Sequence, residues 1–424
     1  MKNFEIKLLY DAVYNLCIEA NVRLPKEVYE KLTKYEHKNR PQIIQNAYSA
    51  CQKCRPLCQD TGQVVIFLEM GQNLVLEGEY VEDVINQAVA DCYREKFYRK
   101  SVVSDAIFDR TNTQTNTPVV IHTRIIPGTG VKILLAIKGG GAENCSQVKM
   151  FNPTVNREEI FKFVKKVARD AGENACPPMS LGIGAGGTIE EACVLAKKAL
   201  YTGEEVTTIE VEDVFEIKVL TAPTHIASLP VCVNVNCHSA RHSSCTIEDG
   251  IILYEKNDYE MQSMPFIYNL EEVKTSDVER IKKLKHKEKI LLTGTIYTAR
   301  DNAHKKLVEI LECGAILPID LQDIILFYAG PCPTAPGEII GPVGPTTSKR
   351  MDAFAPTLFE QGVLAVIGKG DRGIRDGVYL KLTGGVACLV QDCIQSAEVA
   401  FFEELGTEAI YKLEVEKLPL EVGE

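Results

Sequence analysis

The hydrophobic pattern divides the chain into alternating helical and extended stretches. Residues 1–50 repeat apolar positions at helical spacing, punctuated by Pro25 and Pro41, and read as successive helices. The runs VVIFLEM (64–70), VVIHTRIIP (119–127) and KILLAIK (132–138) read as strands. An amphipathic run over 79–100 reads as a helix between the first two. Two further helical patterns cover 157–175 and 189–200, the second following LGIGAGGT (181–188), a glycine-rich stretch read as a turn. An alternating strand ends at VNVN (233–236). A polar, irregular stretch at 262–275 marks a junction. Beyond it come a basic helix (278–289), a strand (290–298), a helix (299–314), short strands and the Gly/Pro loop GPCPTAPGEIIGPVGPTT (330–347). The final LEVEKLPLEVGE (413–424) reads as a short strand-like tail. The sum is a mixed α/β chain with a larger domain over 1–265 and a smaller α/β domain over 266–424.

Composition narrows the class. The chain has 424 residues, 45% of them apolar, enough for two real cores. A net charge of −11 argues against nucleic acid or an anionic membrane surface as partner. No run reaches 18 uninterrupted apolar residues, so no membrane span is expected. The first 20 residues carry Glu5, Asp11 and Glu19 within the apolar pattern, unlike a secretory leader, and the default location is cytoplasmic. Fifteen cysteines in such a chain are poorly explained by disulfides. Cys92, Cys193, Cys313 and Cys388 lie in helix-like or apolar runs and read as buried structural residues.

Other cysteines stand in polar loops. CQKCRPLC (51–58) has the spacing of a local metal knuckle, or Cys58 belongs to a site assembled from distant segments with Asp60 as its chemical partner. In ENACPP (173–178), Cys176 precedes proline, as is common near iron–sulfur ligands. Cys237 directly follows a strand, beside two histidines and an arginine. Gly182, Gly184 and Gly187 satisfy GxGxxG before a helix, but Pro177 and Pro178 make a poor preceding strand for a dinucleotide site. TARDNAHKK (298–306), GPTTSKRMD (344–352) and KGDRG (369–373) place several cations on loops at strand ends. That suits a dicarboxylate, which arginine forks and a lysine point charge bind well.

Taken in order, CQDTG (58–62), KGGGAEN, ENACPP, THIASLPVCVNVNCHSARH, TGTIYTARDNAH and GPTTSKRMD resemble the class I iron–sulfur fumarate hydratases and the related L-tartrate dehydratases. The resemblance covers the whole chain, with an α-type and a β-type block fused. It implies a [4Fe–4S] cluster on Cys58, Cys176 and Cys237, leaving one iron open to substrate. It further implies Asp60 as acid/base and Thr346 as a second proton-transfer group, activated by a neighbour such as Lys369 or Asp60. Gln59, Arg99, His225, Arg300, Arg350 and Lys369 are implied substrate contacts, and Gly141 an implied backbone contact. The implied site lies between the domains of a homodimer subunit. The expected reaction is hydration of fumarate to L-malate, with L-tartrate or mesaconate chemistry as runner-up. Cys51, Cys54 and Cys332 receive no role. Readings of another class are a dinucleotide-dependent oxidoreductase and a non-catalytic metal or redox sensor.

Overall fold

The computed structural model describes residues 2–255, 257–264, 269–374 and 376–424. The expected boundary at 265/266 lies outside these residues. Two compact units divide the chain: Met1–Arg40 with Ala50–Gln262, and Pro41–Ser49 with Ser263–Glu424.

The first unit is layered. One five-stranded sheet runs Ile251–Tyr254, His242–Glu248, Val131–Lys138, Gln63–Gly71, Val120–Ile126. Its central strand Val131–Lys138 is apolar on both faces, as a doubly covered strand must be. Val131, Ile133, Leu135 and Ile137 pack with the helices Lys7–Val22 and Val81–Glu95. Leu134 and Ala136 face the other way, onto Leu200 and Tyr201 of the helix Ile189–Thr202. That helix also serves a second sheet, ordered Gln147–Phe151, Leu229–Asn236, Met179–Gly187, Val214–Thr224, Glu204–Glu205. Ala192 and Ala196 meet Cys232 of this sheet. On the sheet's far face, Leu181, Ile183, Val231 and Val233 pack on the helix Arg157–Ala171.

The glycine-rich stretch 181–188 is therefore no turn. It lies in the strand Met179–Gly187, between the strands Leu229–Asn236 and Val214–Thr224. The glycines are there because the helix Ile189–Thr202 lies against the strand. A Cβ on Gly182 would sit 2.1 Å from the Ala196 carbonyl oxygen, and one on Gly184 2.1 Å from that of Ala192.

In the second unit, seven strands run Glu271–Lys274, Lys289–Thr298, Ile325–Phe327, Ala365–Gly368, Val378–Lys381, Ile410–Val422, Ile394–Phe401. The strand Ile410–Val422 also pairs with Lys289–Thr298, so the sheet closes on itself. The expected short tail is thus a 13-residue strand that pairs with three others. The expected basic helix over 278–289 is reduced to Val278–Lys282. The helix Asp301–Glu312 ends at Cys313, which is exposed, not buried as the pattern suggests. Residues Lys2–Glu5, read as helical, instead pair in parallel with Leu74–Glu77. Buried Asn46 accepts hydrogen bonds from the N–H groups of Cys388 (2.9 Å) and Leu389 (3.2 Å), capping the helix Ala387–Asp392. Among the described residues no helix is long and apolar enough to cross a membrane.

Candidate active site

Cys58, Cys176 and Cys237 lie at one edge of the first unit, near enough to act on one another electrostatically, because strand ends come together there. The strands Leu229–Asn236 and Met179–Gly187 are antiparallel neighbours with Asn236 opposite Ser180. Cys237, just after one, and Cys176, just before the other, therefore share a sheet end. The His238 N–H reaches the Cys176 carbonyl at 3.5 Å. Cys176 itself holds a left-handed backbone, φ 56°. Cys58 arrives on the loop that enters the strand Gln63–Gly71. Burial pushes its thiol up to about 12, Arg241 counteracts this, and Asp60, Cys176 and Cys237 add to the rise. Gln59 Oε1 accepts from the Cys58 thiol at 3.4 Å, and Cys237 Sγ lies 2.9 Å from Ser239 Oγ. Among the described residues, no three His, Cys, Asp or Glu side chains converge as the ligands of one metal ion.

Asp60 stands beside the thiols in a cradle of donors. Its Oδ2 accepts from the Gly140 N–H at 2.8 Å and its Oδ1 from the Gly62 N–H at 3.1 Å. Arg99 Nη2 lies 3.5 Å from Oδ1. Burial works to raise the Asp60 pKa, but Arg99, Arg241 and the two N–H groups outweigh it and hold the carboxyl below its usual range. Two glycines shape the cradle. Gly62 takes φ +64°, and a Cβ there would fall 2.5 Å from the Lys138 carbonyl oxygen. On Gly139 a Cβ would press on Asp60 Oδ2 at 3.2 Å.

Arg241, the arginine beside Cys237, was given no role by the sequence. It is 1% exposed, and its Nη1 donates to the Asp60 carbonyl at 2.6 Å. It ties the Asp60 loop to the segment carrying Cys237 and supplies a buried positive charge beside Cys58 and Cys237. Its only signal in the sequence was its place four residues after Cys237. Lys138 was also missed. Burial pushes it down to about 8 against the opposing pull of Glu143, and its Nζ donates to the Val235 carbonyl at 2.6 Å.

Two expected residues fall elsewhere. The amide on Asp60 belongs to Gly140, while the Gly141 carbonyl accepts from Cys145 Sγ at 3.3 Å. His225 is exposed on the turn between the strands Val214–Thr224 and Leu229–Asn236. Its ring Nδ1 accepts from the Ala227 N–H at 3.1 Å. The strand Leu229–Asn236 separates it from Cys237 by about 25 Å at the usual rise of a strand.

The second unit gathers its own set. Arg300 precedes the helix Asp301–Glu312, and its Nε lies 3.2 Å from Asp301 Oδ2 and 3.5 Å from Glu408 Oε1. Arg350 Nη2 donates to the same Asp301 oxygen at 2.6 Å, and Nη1 donates to Thr346 Oγ1 at 3.2 Å. Thr346 is fixed by its N–H on the Tyr328 carbonyl (2.7 Å), and its own carbonyl accepts from the Lys369 N–H at 3.1 Å. The neighbour at the Thr346 hydroxyl in this unit is thus Arg350. Arg372 packs over the Phe359 and Tyr379 rings and lies 3.6 Å from Asp352, a structural cation.

Known proteins match this chain from end to end. The sequence profile described as Fumarate hydratase (Fumerase) matches residues 10–213 and 210–246, and that described as Fumarase C-terminus matches 252–423. The anaerobic class I fumarate hydratase of Escherichia coli K12 is 30% identical over 89% of this chain and 79% of its own. The mitochondrial fumarate hydratase 1 of Leishmania major is 29% identical with the same coverage. A putative L(+)-tartrate dehydratase α subunit of Methanocaldococcus jannaschii is 30% identical over 55% of this chain and 95% of its own. With both profiles matched in order and similarity running along nearly all its length, the chain belongs to the fumarate hydratase family.

Proposed function

We propose that this protein is a hydro-lyase that adds water reversibly to fumarate, giving L-malate. The observation that supports the reading is that Cys58, from one segment, lies within electrostatic reach of Cys176 and Cys237, from others, and of the carboxylate of Asp60. The donor set fits a [4Fe–4S] cluster. Its ligands are three thiols, each needed by a different iron, and Arg241 offers a buried positive charge to offset theirs. Such a cluster, when bound, leaves one iron without a protein ligand, able to act as a Lewis acid toward substrate oxygen.

The chain's own residues supply the rest. Asp60, held ionised, accepts a proton, and Gln59 and Arg99 orient the substrate beside it. Arg300, Arg350 and Lys369 supply the positive charge that binds the substrate carboxylates. Thr346 moves the second proton. Among the described residues the fifteen cysteines form no disulfide, and we take the compartment to be a reducing cytoplasm. We take the working form to be a homodimer. The GxGxxG glycines give no support to a dinucleotide, because Gly182 and Gly184 are used in packing a helix on a strand.

The test is an anaerobic assay of the reconstituted protein with fumarate, L-malate, mesaconate and the tartrates. Fumarate and L-malate should interconvert fastest. Faster turnover of a tartrate moves the substrate to the chemistry named for the archaeal relative, and turnover of none of them sinks the reading.

A further inference from the structure

The reading above gives Arg350 and Thr346 direct work on the substrate and leaves Asp301 with none. Yet Asp301 organises both. It opens the helix Asp301–Glu312, where a carboxylate is favoured by the helix dipole. Burial works to raise its pKa, but Arg350 and Arg300 outweigh it, so it stays ionised between them. One oxygen, Oδ2, accepts from Arg350 Nη2 at 2.6 Å and from Arg300 Nε at 3.2 Å. Glu408 flanks the other side of Arg300 at 3.5 Å and accepts from the Asn302 N–H at 2.8 Å. Gly330 leaves room for the Arg300 stem, since a Cβ there would lie 3.0 Å from Cδ.

We propose that Asp301 is a positioning residue: it fixes the plane of the Arg350 guanidinium so that the other arm donates to the Thr346 hydroxyl. The inference rests on Thr346 being a proton-transfer group. A guanidinium is planar, so anchoring Nη2 fixes where Nη1 points. Nη1 then lies 3.2 Å from Thr346 Oγ1. That contact has two chemical effects. It occupies a lone pair of Oγ1, which leaves the hydroxyl hydrogen free to be directed elsewhere. It also places positive charge beside the oxygen, stabilising the alkoxide left when, in the hydration direction, the proton passes from Oγ1 to the substrate carbon, until solvent returns a proton to Oγ1. An unaided threonine hydroxyl is a poor proton donor, and this is the help it needs.

The arrangement separates binding from turnover. Asp301 also cancels part of the positive charge that a substrate carboxylate meets. Asp301→Asn keeps the shape and removes that charge, so the pull on a dicarboxylate is kept or strengthened while Arg350 is freed to turn. In the anaerobic holoenzyme, kcat should fall about 10- to 100-fold, at or below the lower end of the range for losing an acid–base group outright, because Thr346 itself remains. KM should not rise, and succinate, a non-reacting dicarboxylate, should bind at least as tightly by calorimetry. The kcat loss should largely vanish when Asp301→Asn is made in the Thr346→Val protein, because the two changes interrupt one path. Full additivity of the two changes overturns the proposal. So does a raised KM with unchanged kcat, or weaker succinate binding, which would make Asp301 a plain support of the anion site. If Thr346→Val alone is as active as the wild type, the reading of Thr346 fails and the inference falls with it. If Thr346→Val is impaired and Asp301→Asn is not, only the inference falls.

Discussion

Asp60 is half-buried and yet more acidic than a free aspartate. Burial normally costs a carboxylate its charge, so the arginines and amides around it must supply more than burial removes. A group held this way is ionised, with its oxygens oriented by Gly140, Gly62 and Arg99, but its lowered pKa makes it a weak base until a bound substrate draws those donors away. Asp60→Asn keeps the shape and removes the basic oxygen. It should lower kcat by about 10²–10⁴-fold with the visible spectrum and iron content of the anaerobic protein unchanged. Loss of iron along with activity would instead make Asp60 a support of the cysteine loop. Thr346→Val is close in volume and lacks the hydroxyl. It should also lower kcat, by a factor of 10 or more, with succinate affinity changing little. A wild-type kcat would leave Asp60 as the single proton-transfer side chain.

At the scale of elements, the strand Met179–Gly187 depends on what it lacks. Gly184→Ala would drive a methyl group into the backbone of the helix Ile189–Thr202, whose Ala192 oxygen is 2.1 Å from that position. We expect a loss of about 3 kcal/mol in urea unfolding, the upper range for overpacking. Gly130→Ala should leave the midpoint unchanged, since the added carbon meets Glu248 at an ordinary 3.5 Å. The helix Asp301–Glu312 carries a different liability. Buried His304 is pushed down to about 4, mainly by loss of hydration, while its Nδ1 lies 3.1 Å from the Arg300 carbonyl. A histidine whose folded pKa lies below its unfolded value near 6.5 prefers to be neutral in the fold. Its stabilising effect is complete above pH 6.5 and is lost as the pH falls from about 6.5 to about 4. His304→Phe should flatten the pH dependence of unfolding in that window by about one proton, and an unchanged slope would assign the acid sensitivity elsewhere. These two elements show what the sequence carried. Amphipathic helices and apolar strands were legible because periodicity reports which faces meet a core. The glycine strand was not, because glycine weakens a strand locally and its reason lies in a helix that packs across it.

Across the whole molecule, the metal-binding pattern is the sharpest test. Cys58→Ser, Cys176→Ser and Cys237→Ser should each strip the anaerobic protein of its iron and of the broad absorption of thiolate-bound iron, while Cys51→Ser and Cys54→Ser should keep both. Iron lost from either of the latter pair would restore the local-knuckle reading. The grouping of Cys58, Asp60, Cys176 and Cys237 was legible only through the order of motifs, since no local spacing joins residues so far apart. Arg241 and Asp301 escaped because a buried arginine and a helix-opening aspartate look like ordinary surface residues until their partners are seen. His225 fell away from the thiols because a strand that carries Cys237 at one end must carry its other neighbour a full strand length away. The closed sheet of the second unit has a consequence for how the protein is made. Lys289 pairs with Glu421, so a strand made early waits for one made more than a hundred residues later, whereas Leu380 waits only about forty for Val422. Contacts that distant are slow to form, because the chain loses loop entropy before pairing returns any of it. During synthesis, the strand Lys289–Thr298 therefore spends its first moments with an unpaired edge, and a chaperone that shields extended apolar segments should associate with nascent chains stalled before residue 410 and release those stalled on an unstructured linker fused after residue 424.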